Sequence, residues 1–447
     1  MQADLSKKDE QFREFSLNGP MWRGGLYVGF PLALYESLNQ LFKILDTMMA
    51  SHIGASAVSA VAYLSQINMM ISAVGTGLAV GASIKVSQAY GAGDFMLVKK
   101  RVSTMFAMCG ALGIAILLVL VPFTPEFLRL MNTPEEFIAD GSTYFRLELF
   151  GMVITFFNNV YIAIERARGN SKRILILNTA VIVVKLGLTA WFVYGLGGGI
   201  NMISCATIIS QSLLLLAACI NMNQKGNAFG FSLRAISIKK EVICPMLTLS
   251  FPVIVERIAF AVGKVIVNSM STVYGSWTVG ALGISNNIGG ITTNPQNGFQ
   301  EGGSSIISQN LGAGRPKRAL LAFRWVLYID MLIGLVIMTA SLLCLNQLAG
   351  LFAGDNAEFA EMIKQIYRFE AVGAIPLGVN AAVMALLYGF GKTRVTLVMN
   401  FCRVFLFRVP VLWALQQFTD LGNVSAGIVM AVSNVASGVL AAVVGVI

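Results

Sequence analysis

Two stretches of this chain, 221 residues apart, have nearly the same sequence. Residues 81–94 read GASIKVSQAYGAGD, and residues 302–315 read GGSSIISQNLGAGR. Further pairs in this register are Pro31 with Pro252, Lys43 with Lys264 and Gly77 with Gly298 and, after one inserted residue, Glu148 with Glu370 and Asn178 with Asn400. The chain is therefore two copies of one half, and its fold has to contain two similar units.

The composition excludes a water-soluble protein. Hydrophobic residues make up 56% of the chain and charged residues 12%, whereas a soluble protein carries about 25% charged residues. Twelve apolar segments are each long enough to cross a bilayer as a helix, which satisfies the backbone polar groups in lipid. These segments are 27–50, 56–86, 101–124, 142–165, 174–195, 198–221, 243–272, 277–308, 319–345, 364–388, 394–416 and 423–446. The predicted fold is an all-α integral membrane protein with twelve transmembrane helices in two pseudo-twofold-related six-helix bundles around a central cleft.

Basic residues cluster in the loops on one side of the predicted spans. The clusters lie at 99–101, 166–173, 225–240 and 315–318. Because positive residues stay in the cytoplasm, we predict a multi-pass protein of the plasma (inner) membrane with both termini cytoplasmic. This topology accounts for the net charge of +10, and no basic face with exposed aromatic residues indicates nucleic-acid binding.

The repeat and the longest loop divide the chain into four predicted segments. These are a cytoplasmic N-terminal segment (1–26), an N-terminal six-helix lobe (27–221), a cytoplasmic linker (222–242) and a C-terminal six-helix lobe (243–447). Parallel six-helix repeats are typical of carriers that alternate access to a shared midplane cavity. A channel or a stable scaffold is the alternative. The expected partners are a small-molecule substrate and the lipid bilayer, and the protein is expected to be a monomer.

Nothing in the sequence indicates an enzyme, a metal site or a cofactor. The only histidine is His52, and the six cysteines are scattered through apolar runs without paired spacing. The two Gly-Ala-Gly turns lack the Lys-Ser/Thr of a phosphate loop, so they are interpreted as helix ends with positive φ angles at Gly91, Gly93, Gly312 and Gly314. The energy for transport is therefore expected to come from an ion gradient, the membrane potential or the solute itself.

Glycine and proline residues recur at equivalent places in the two halves. Gly75, Gly77 and Gly81 in the second span match a set at Gly298, Gly302 and Gly303 in the eighth. These glycines predict close contact between helices. Pro31, Pro252 and Pro295 lie within predicted spans, and they are the hinge candidates.

Charged residues inside the spans are the candidate functional site. Each costs about 2.5–3.5 kcal/mol at the bilayer centre on insertion scales, so each needs a reason to be there. The candidates for ion coupling or for the substrate cavity are Glu36, Lys43, Asp46, Lys185, Glu256, Arg257 and Lys264. One interpretation is that they neutralise one another structurally. The other is that Asp46 and Glu256, in particular, bind the coupling ion.

Several motifs together resemble the multidrug and toxic compound extrusion (MATE) family. They are Leu45–Met49, Ser87–Asp94 with its second copy Ser308–Gly314, Arg166–Asn170, and Arg403 with Arg408–Pro410. The resemblance covers essentially the whole chain. It implies a V-shaped bundle of twelve helices that exports organic cations or aromatic drugs in exchange for protons or sodium ions.

The resemblance also implies a role for Asp46 as the coupling carboxylate of the first helix. Where the family commonly has an Asn and an acid or amide in the fifth helix, this chain has Lys185 and Thr189. We therefore expect Lys185 to form an ion pair with Asp46, which would exclude sodium from the first lobe.

The substrate class stays open at this point. The resemblance favours a secondary antiporter that exports drug-like cationic or aromatic compounds by alternating access. The cations Lys43, Lys185, Arg257 and Lys264 would also suit an exporter of anionic or zwitterionic metabolites. A flippase for lipid-linked substrates, from the same superfamily, is a further alternative.

Overall fold

The computed structural model describes the backbone of residues 5–51, 55–131, 133, 135–224, 227–354 and 356–446. It describes the side chains of these residues except 8, 43–51, 55–63, 66, 135–137, 139–140 and 276. The described residues form α-helices and contain no β-strand. The helices are α1 (Lys7–Asn18), α2 (Met21–Ser51), α3 (Ala55–Ala92), α4 (Phe95–Leu120), α5 (Thr124–Leu130), α6 (Glu135–Ala167), α7 (Ser171–Ala190), α8 (Ile200–Met222), α9 (Lys240–Ser271), α10 (Ser276–Gly312), α11 (Pro316–Leu343), α12 (Leu345–Ala353), α13 (Ala357–Ala371), α14 (Ala374–Gly389), α15 (Thr393–Phe401), α16 (Val409–Phe418) and α17 (Val424–Val446).

Each of the twelve predicted spans coincides with one of these helices or with two consecutive ones. Within the described residues, nine helical segments are long and apolar enough to cross a membrane, or ten if α13 and α14 form one span bent by 48°. The other two predicted spans are α2 and α10, whose 31 and 37 residues also exceed the length needed. The prediction of an all-α, multi-pass membrane protein is confirmed.

Contacts between residues group the chain into two units. The first unit comprises Met1–Glu14 and Leu41–Ile254, and the second comprises Phe15–Gln40 and Val255–Ile447. The boundaries therefore fall inside α1, α2 and α9. The beginning of α2 packs within the second unit, and the beginning of α9 packs within the first.

Glycines bring these helices together in both units. A Cβ atom on Gly81 of α3 would lie 2.3 Å from Cα of Ser250 in α9, within the first unit. A Cβ atom on Gly298 of α10 would lie 2.4 Å from the backbone nitrogen of Ala33 in α2, within the second. Only glycine allows backbones to approach this closely. The predicted role of the repeated glycines in helix contact is confirmed at these positions.

The two Gly-Ala-Gly turns end α3 and α10 as predicted, but only one glycine of each turn has a positive φ. Gly93 has φ = 81° and Gly314 has φ = 71°. Gly91 and Gly312 remain inside α3 and α10, so the prediction was wrong for them. The second glycine of each turn alone reverses the chain, because the first still continues the helical hydrogen-bonding pattern.

In the first unit, the segment Arg166–Asn170 comprises the end of α6 and the turn that follows it, and ion pairs of Arg168 hold it in place. The guanidinium of Arg168 donates to both carboxylate oxygens of Asp9 in α1, at 2.9 and 3.1 Å, and to Glu165 at 3.1 Å. Burial disfavours the charged form of Arg168, but the adjacent Glu165 and Asp9 outweigh burial and raise the pKa of this guanidinium. Arg168 thus fixes α1 against the end of α6.

Candidate functional site

The carboxyl group of Glu256 lies buried in the second unit, inside α9. Three side chains donate hydrogen bonds to it. Tyr388 Oη and Asn400 Nδ2 each lie 2.7 Å from Oε1. Thr396 Oγ1 lies 2.7 Å from Oε2. The half-buried Arg257 is near enough to interact electrostatically with this carboxyl group.

Local sequence spacing explains how these donors converge. Thr396 and Asn400 are four residues apart on α15, so they lie on one face of that helix. Tyr388 lies in the last turn of α14, just before α15 begins. Since unpaired buried polar groups are costly, a buried glutamate on α9 requires such donors from the neighbouring helices.

The hydroxyl group of Thr396 has two acceptors within reach. Thr396 Oγ1 lies 2.7 Å from Glu256 Oε2 and 2.9 Å from the carbonyl oxygen of Thr393. A hydroxyl group has one proton but can also accept. It can therefore donate to an ionised Glu256, or accept from a protonated Glu256 while it donates to Thr393. The same heavy-atom arrangement serves both charge states of the carboxyl group.

Three cationic side chains surround the ring of Phe260, one turn beyond Glu256 on α9. The ring centroid lies 5.6 Å from Nζ of Lys264, 5.6 Å from Cζ of Arg403 and 6.0 Å from Cζ of Arg408. We call Phe260, Lys264, Arg403 and Arg408 the Phe260 cluster. Each distance is within the range of a cation–π interaction.

A wide helical turn places the two arginines of the Phe260 cluster together. Between α15 and α16, residues Cys402–Leu406 form a π-helical turn, closed by a hydrogen bond of 2.9 Å from Phe407 N to Cys402 O. In such a turn, residues five apart come to the same side. Arg403 and Arg408 consequently both donate to Oδ1 of Asn434 in α17, at 3.1 and 3.3 Å.

Glu370, at the end of α13, is the carboxylate beside this cluster. Lys264, Arg403 and Arg408 all interact electrostatically with it, and Ser285 donates a hydrogen bond to it. Its counterpart in the repeat, Glu148, accepts a hydrogen bond of 2.7 Å from Ser204 in the first unit. In both halves, therefore, the carboxylate at this repeat position accepts a hydrogen bond from a serine. The Phe260 cluster, in contrast, lies in the second half.

Comparison with known proteins agrees with the repeat. The family model MatE matches residues 31–191 and 252–414. The chain belongs to the MatE family. The two matched segments begin at Pro31 and Pro252, which the repeat register pairs, so each half of the chain is one MatE unit.

Relatives of this MatE protein match over most of its length. The Bacillus subtilis (strain 168) protein named "Probable multidrug resistance protein YoeA" is 24% identical over 90% of this chain and 88% of its own length. The "Multidrug export protein MepA" of Staphylococcus aureus (strain NCTC 8325 / PS 47) is 22% identical over 95% of this chain and 94% of its own length. A solved structure described as an outward-facing conformation of a multidrug resistance MATE family transporter superposes with a TM-score of 0.91 and 21% sequence identity. The superposition covers 99% of this chain and 98% of that chain. The protein is a transporter embedded in a membrane, and not an enzyme.

The structure places the predicted site residues of this MatE protein in different surroundings. Glu256 has its three donors, and Lys264 belongs to the Phe260 cluster. Glu36 is half-buried in the second unit, and Lys185 is half-buried on α7 in the first. The side chains of Lys43 and Asp46 lie outside the described residues, so the ion pair of Lys185 with Asp46 stays a prediction.

Sequence reasoning missed the partners of Glu256 and the carboxylate Glu370. The repeat did contain a signal, because Asn400 and Glu370 have the same residue types at the matching places, Asn178 and Glu148. Asn178 nevertheless bonds to its own helix, at 2.8 Å from Ile174 O. The two MatE halves thus use equivalent residues differently, and a sequence register cannot show this.

Proposed function

We propose that this MatE transporter is a secondary active antiporter that exports small organic compounds in exchange for protons, and that Glu256 binds the proton. The observation that supports this proposal is the ability of Thr396 to donate to Glu256 or to accept from it without moving heavy atoms. Proton exchange needs a carboxyl group that is stable in both charge states while it is buried. A bound sodium ion would instead require several oxygen ligands free of donated hydrogen bonds.

Exchange follows if the proton and the substrate exclude each other. With Glu256 ionised, a cationic substrate gains a favourable interaction, and with Glu256 protonated this interaction is lost. In this proposal the protein lies in the plasma membrane as a monomer, with both termini in the cytoplasm. The inward proton gradient then drives outward transport by alternating access.

The hinges in this proposal are Pro31, Pro252 and Pro295. All three lie inside continuous helices, α2, α9 and α10. A proline removes one backbone hydrogen bond of its helix, which allows bending at that turn. Pro252 is four residues before Glu256, so a bend there would move the proton-binding group directly.

Transport in proteoliposomes tests this function. Uptake of ethidium, an aromatic cation, is measured under a proton gradient and, separately, under a sodium gradient. We expect the parent protein and Glu358→Gln, which changes an exposed carboxylate of α13, to respond to protons, and Glu256→Gln to respond weakly. Asp46→Asn tests the first-lobe acid in parallel. Uptake driven by sodium alone would refute proton exchange.

A second candidate function is export of anionic or zwitterionic compounds. The Phe260 cluster favours it, because Arg403 and Arg408 share one neutral acceptor, Asn434 Oδ1, and Glu370 is the carboxylate beside them. Such a group of cations favours an anionic ligand. Efflux of radiolabelled benzoate that is lost in Arg403→Gln and kept in Arg324→Gln, an exposed arginine of α11, would support this candidate.

A further inference from the structure

Asp330 lies in the middle of α11 and is completely buried. Among the residues that the structure describes, neither of its carboxyl oxygens has a hydrogen-bond partner. No described cation forms an ion pair with it. This carboxyl group therefore differs from Glu256, whose oxygens accept from three donors.

Asp330 lies where α10, α11 and α14 meet in the second unit. Gln296 of α10 donates through Nε2 to the backbone oxygen of Asp330 and to that of Ala374 in α14, both at 3.0 Å. Gln296 is buried, and its own Oε1 has no hydrogen-bond partner in the described part of the chain. Two glycines, Gly334 and Gly378, let the backbones of α11 and α14 approach each other and the side chain of Gln296 at this point.

Among the described residues, no charged group bonds to the carboxyl group of Asp330 and neutralises its ionised form. On the helices packed against α11, the titratable side chains nearest the junction in sequence are Glu301 on α10, Tyr388 on α14, and Tyr367, Arg368 and Glu370 on α13. The remaining charged residues of α13 lie in its first eight residues. An isolated carboxylate buried without a partner is destabilised by several kcal/mol. A proton bound to Asp330 removes this charge and gives the carboxyl group a donor of its own.

The junction also contains the points where its helices can bend. Pro295 directly precedes Gln296 in α10. Between α13 and α14 the helix axis turns by 48°, just before Ala374. A change at either point would withdraw Gln296 from one of the two carbonyl oxygens that it holds. The junction would then open, and water would stabilise the ionised form of Asp330.

We propose that Asp330 is a second proton-binding site of this transporter, which takes up a proton when the junction is closed and releases it when the junction opens. The inference rests on the proposed proton exchange, since its proton would be carried in the same cycle as that of Glu256. Two protons would then be exchanged for each substrate molecule.

The number of protons is measured from the gradient that exchange can sustain. Proteoliposomes are prepared with an interior one pH unit more acidic than the outside, and the membrane potential is held at zero with potassium and valinomycin. Each coupled proton then supports a tenfold accumulation of ethidium. We expect about 100-fold accumulation in the parent and about tenfold in Asp330→Asn. Asp420→Asn, an exposed carboxylate in the same unit, is the control and is expected to match the parent.

The outcomes separate this inference from the proposed function. Accumulation by Asp330→Asn equal to that of the parent, together with reduced accumulation by Glu256→Gln, would overturn the second site alone. A parent that does not accumulate ethidium under a proton gradient would overturn proton exchange itself, and the second site with it.

Infrared difference spectroscopy of the purified protein gives a readout that does not need transport. A protonated carboxylic acid has a C=O stretching band that an ionised one lacks. We expect Asp330→Asn to remove one such band from the parent spectrum and Asp420→Asn to leave it. The presence of the same bands in Asp330→Asn and in the parent would overturn the proposal.

Discussion

Replacement of Glu256 by glutamine mimics its protonated form. The amide oxygen can accept from Tyr388 and Asn400, and the amide nitrogen can donate to Thr396, which then donates to Thr393. All three hydrogen bonds are retained, so we expect the stability to change by less than about 1 kcal/mol. Glu256→Ala instead leaves the buried hydroxyl of Tyr388 and the half-buried amide of Asn400 without an acceptor. The loss is at least about 1–3 kcal/mol, which is the cost of the buried hydroxyl alone.

The transport consequence of Glu256→Gln is separate from its stability. The variant cannot release a proton at this site, so one proton fewer is coupled to each transported ethidium. With a gradient of one pH unit, its ethidium accumulation is therefore expected to be about tenfold lower than that of the parent. The assay is uptake into proteoliposomes at zero membrane potential, with thermal unfolding as the control for folding. Accumulation by Glu256→Gln equal to that of the parent, in protein of unchanged stability, would refute the assignment of Glu256.

Three further predictions concern the donor to Glu256, the glycine contacts and the Arg168 ion pairs. Thr396→Val removes a hydrogen bond from both charge states of Glu256, but the bond to the ionised carboxylate is the stronger one, so the pH midpoint of transport should rise by about one unit, whereas Thr339→Val on the exposed side of α11 should leave it unchanged. Gly298→Ala forces a Cβ atom against the backbone of Ala33 and should lower the free energy of unfolding by about 1–3 kcal/mol, while Gly283→Ala on the same helix meets no atom within 4 Å and should have little effect; equal unfolding temperatures would contradict the close contact. Arg168→Lys replaces a planar guanidinium, which donates to both oxygens of Asp9 and to Glu165 through three nitrogens, by a single ammonium and should destabilise the protein by about 1–3 kcal/mol, more than Arg173→Lys, whose ion pair with Glu165 is 3.5 Å long and partly exposed.

The sequence was sufficient to predict the elements of the fold. Long apolar runs determine where helices cross a membrane, and the offset between Pro31 and Pro252 is the one at which the two MatE segments begin. The repeated glycines Gly81 and Gly298 also identified helix contacts correctly. These features depend on local composition or on the repeat, so a linear register is enough to find them.

The partners of the buried carboxyl groups could not be predicted in this way. Tyr388, Thr396 and Asn400 of α14 and α15 meet Glu256 of α9 through the tertiary structure, which leaves no periodic signal in the chain. Arg403 and Arg408 share Asn434 only because a π-helical turn replaces a regular one. Asp330 is an ordinary acid within an apolar run, and only the three-dimensional structure shows that its carboxyl oxygens have no partner among the described residues.

Proton release on substrate binding tests the central claim most directly. Ethidium is added to the purified protein in weakly buffered solution, and the pH change is followed with an indicator dye while bound ethidium is measured in the same sample. If substrate and proton compete through Glu256, the parent releases protons, and Glu256→Gln releases about one proton fewer for each ethidium bound. Equal proton release by the two proteins at equal binding would contradict the account.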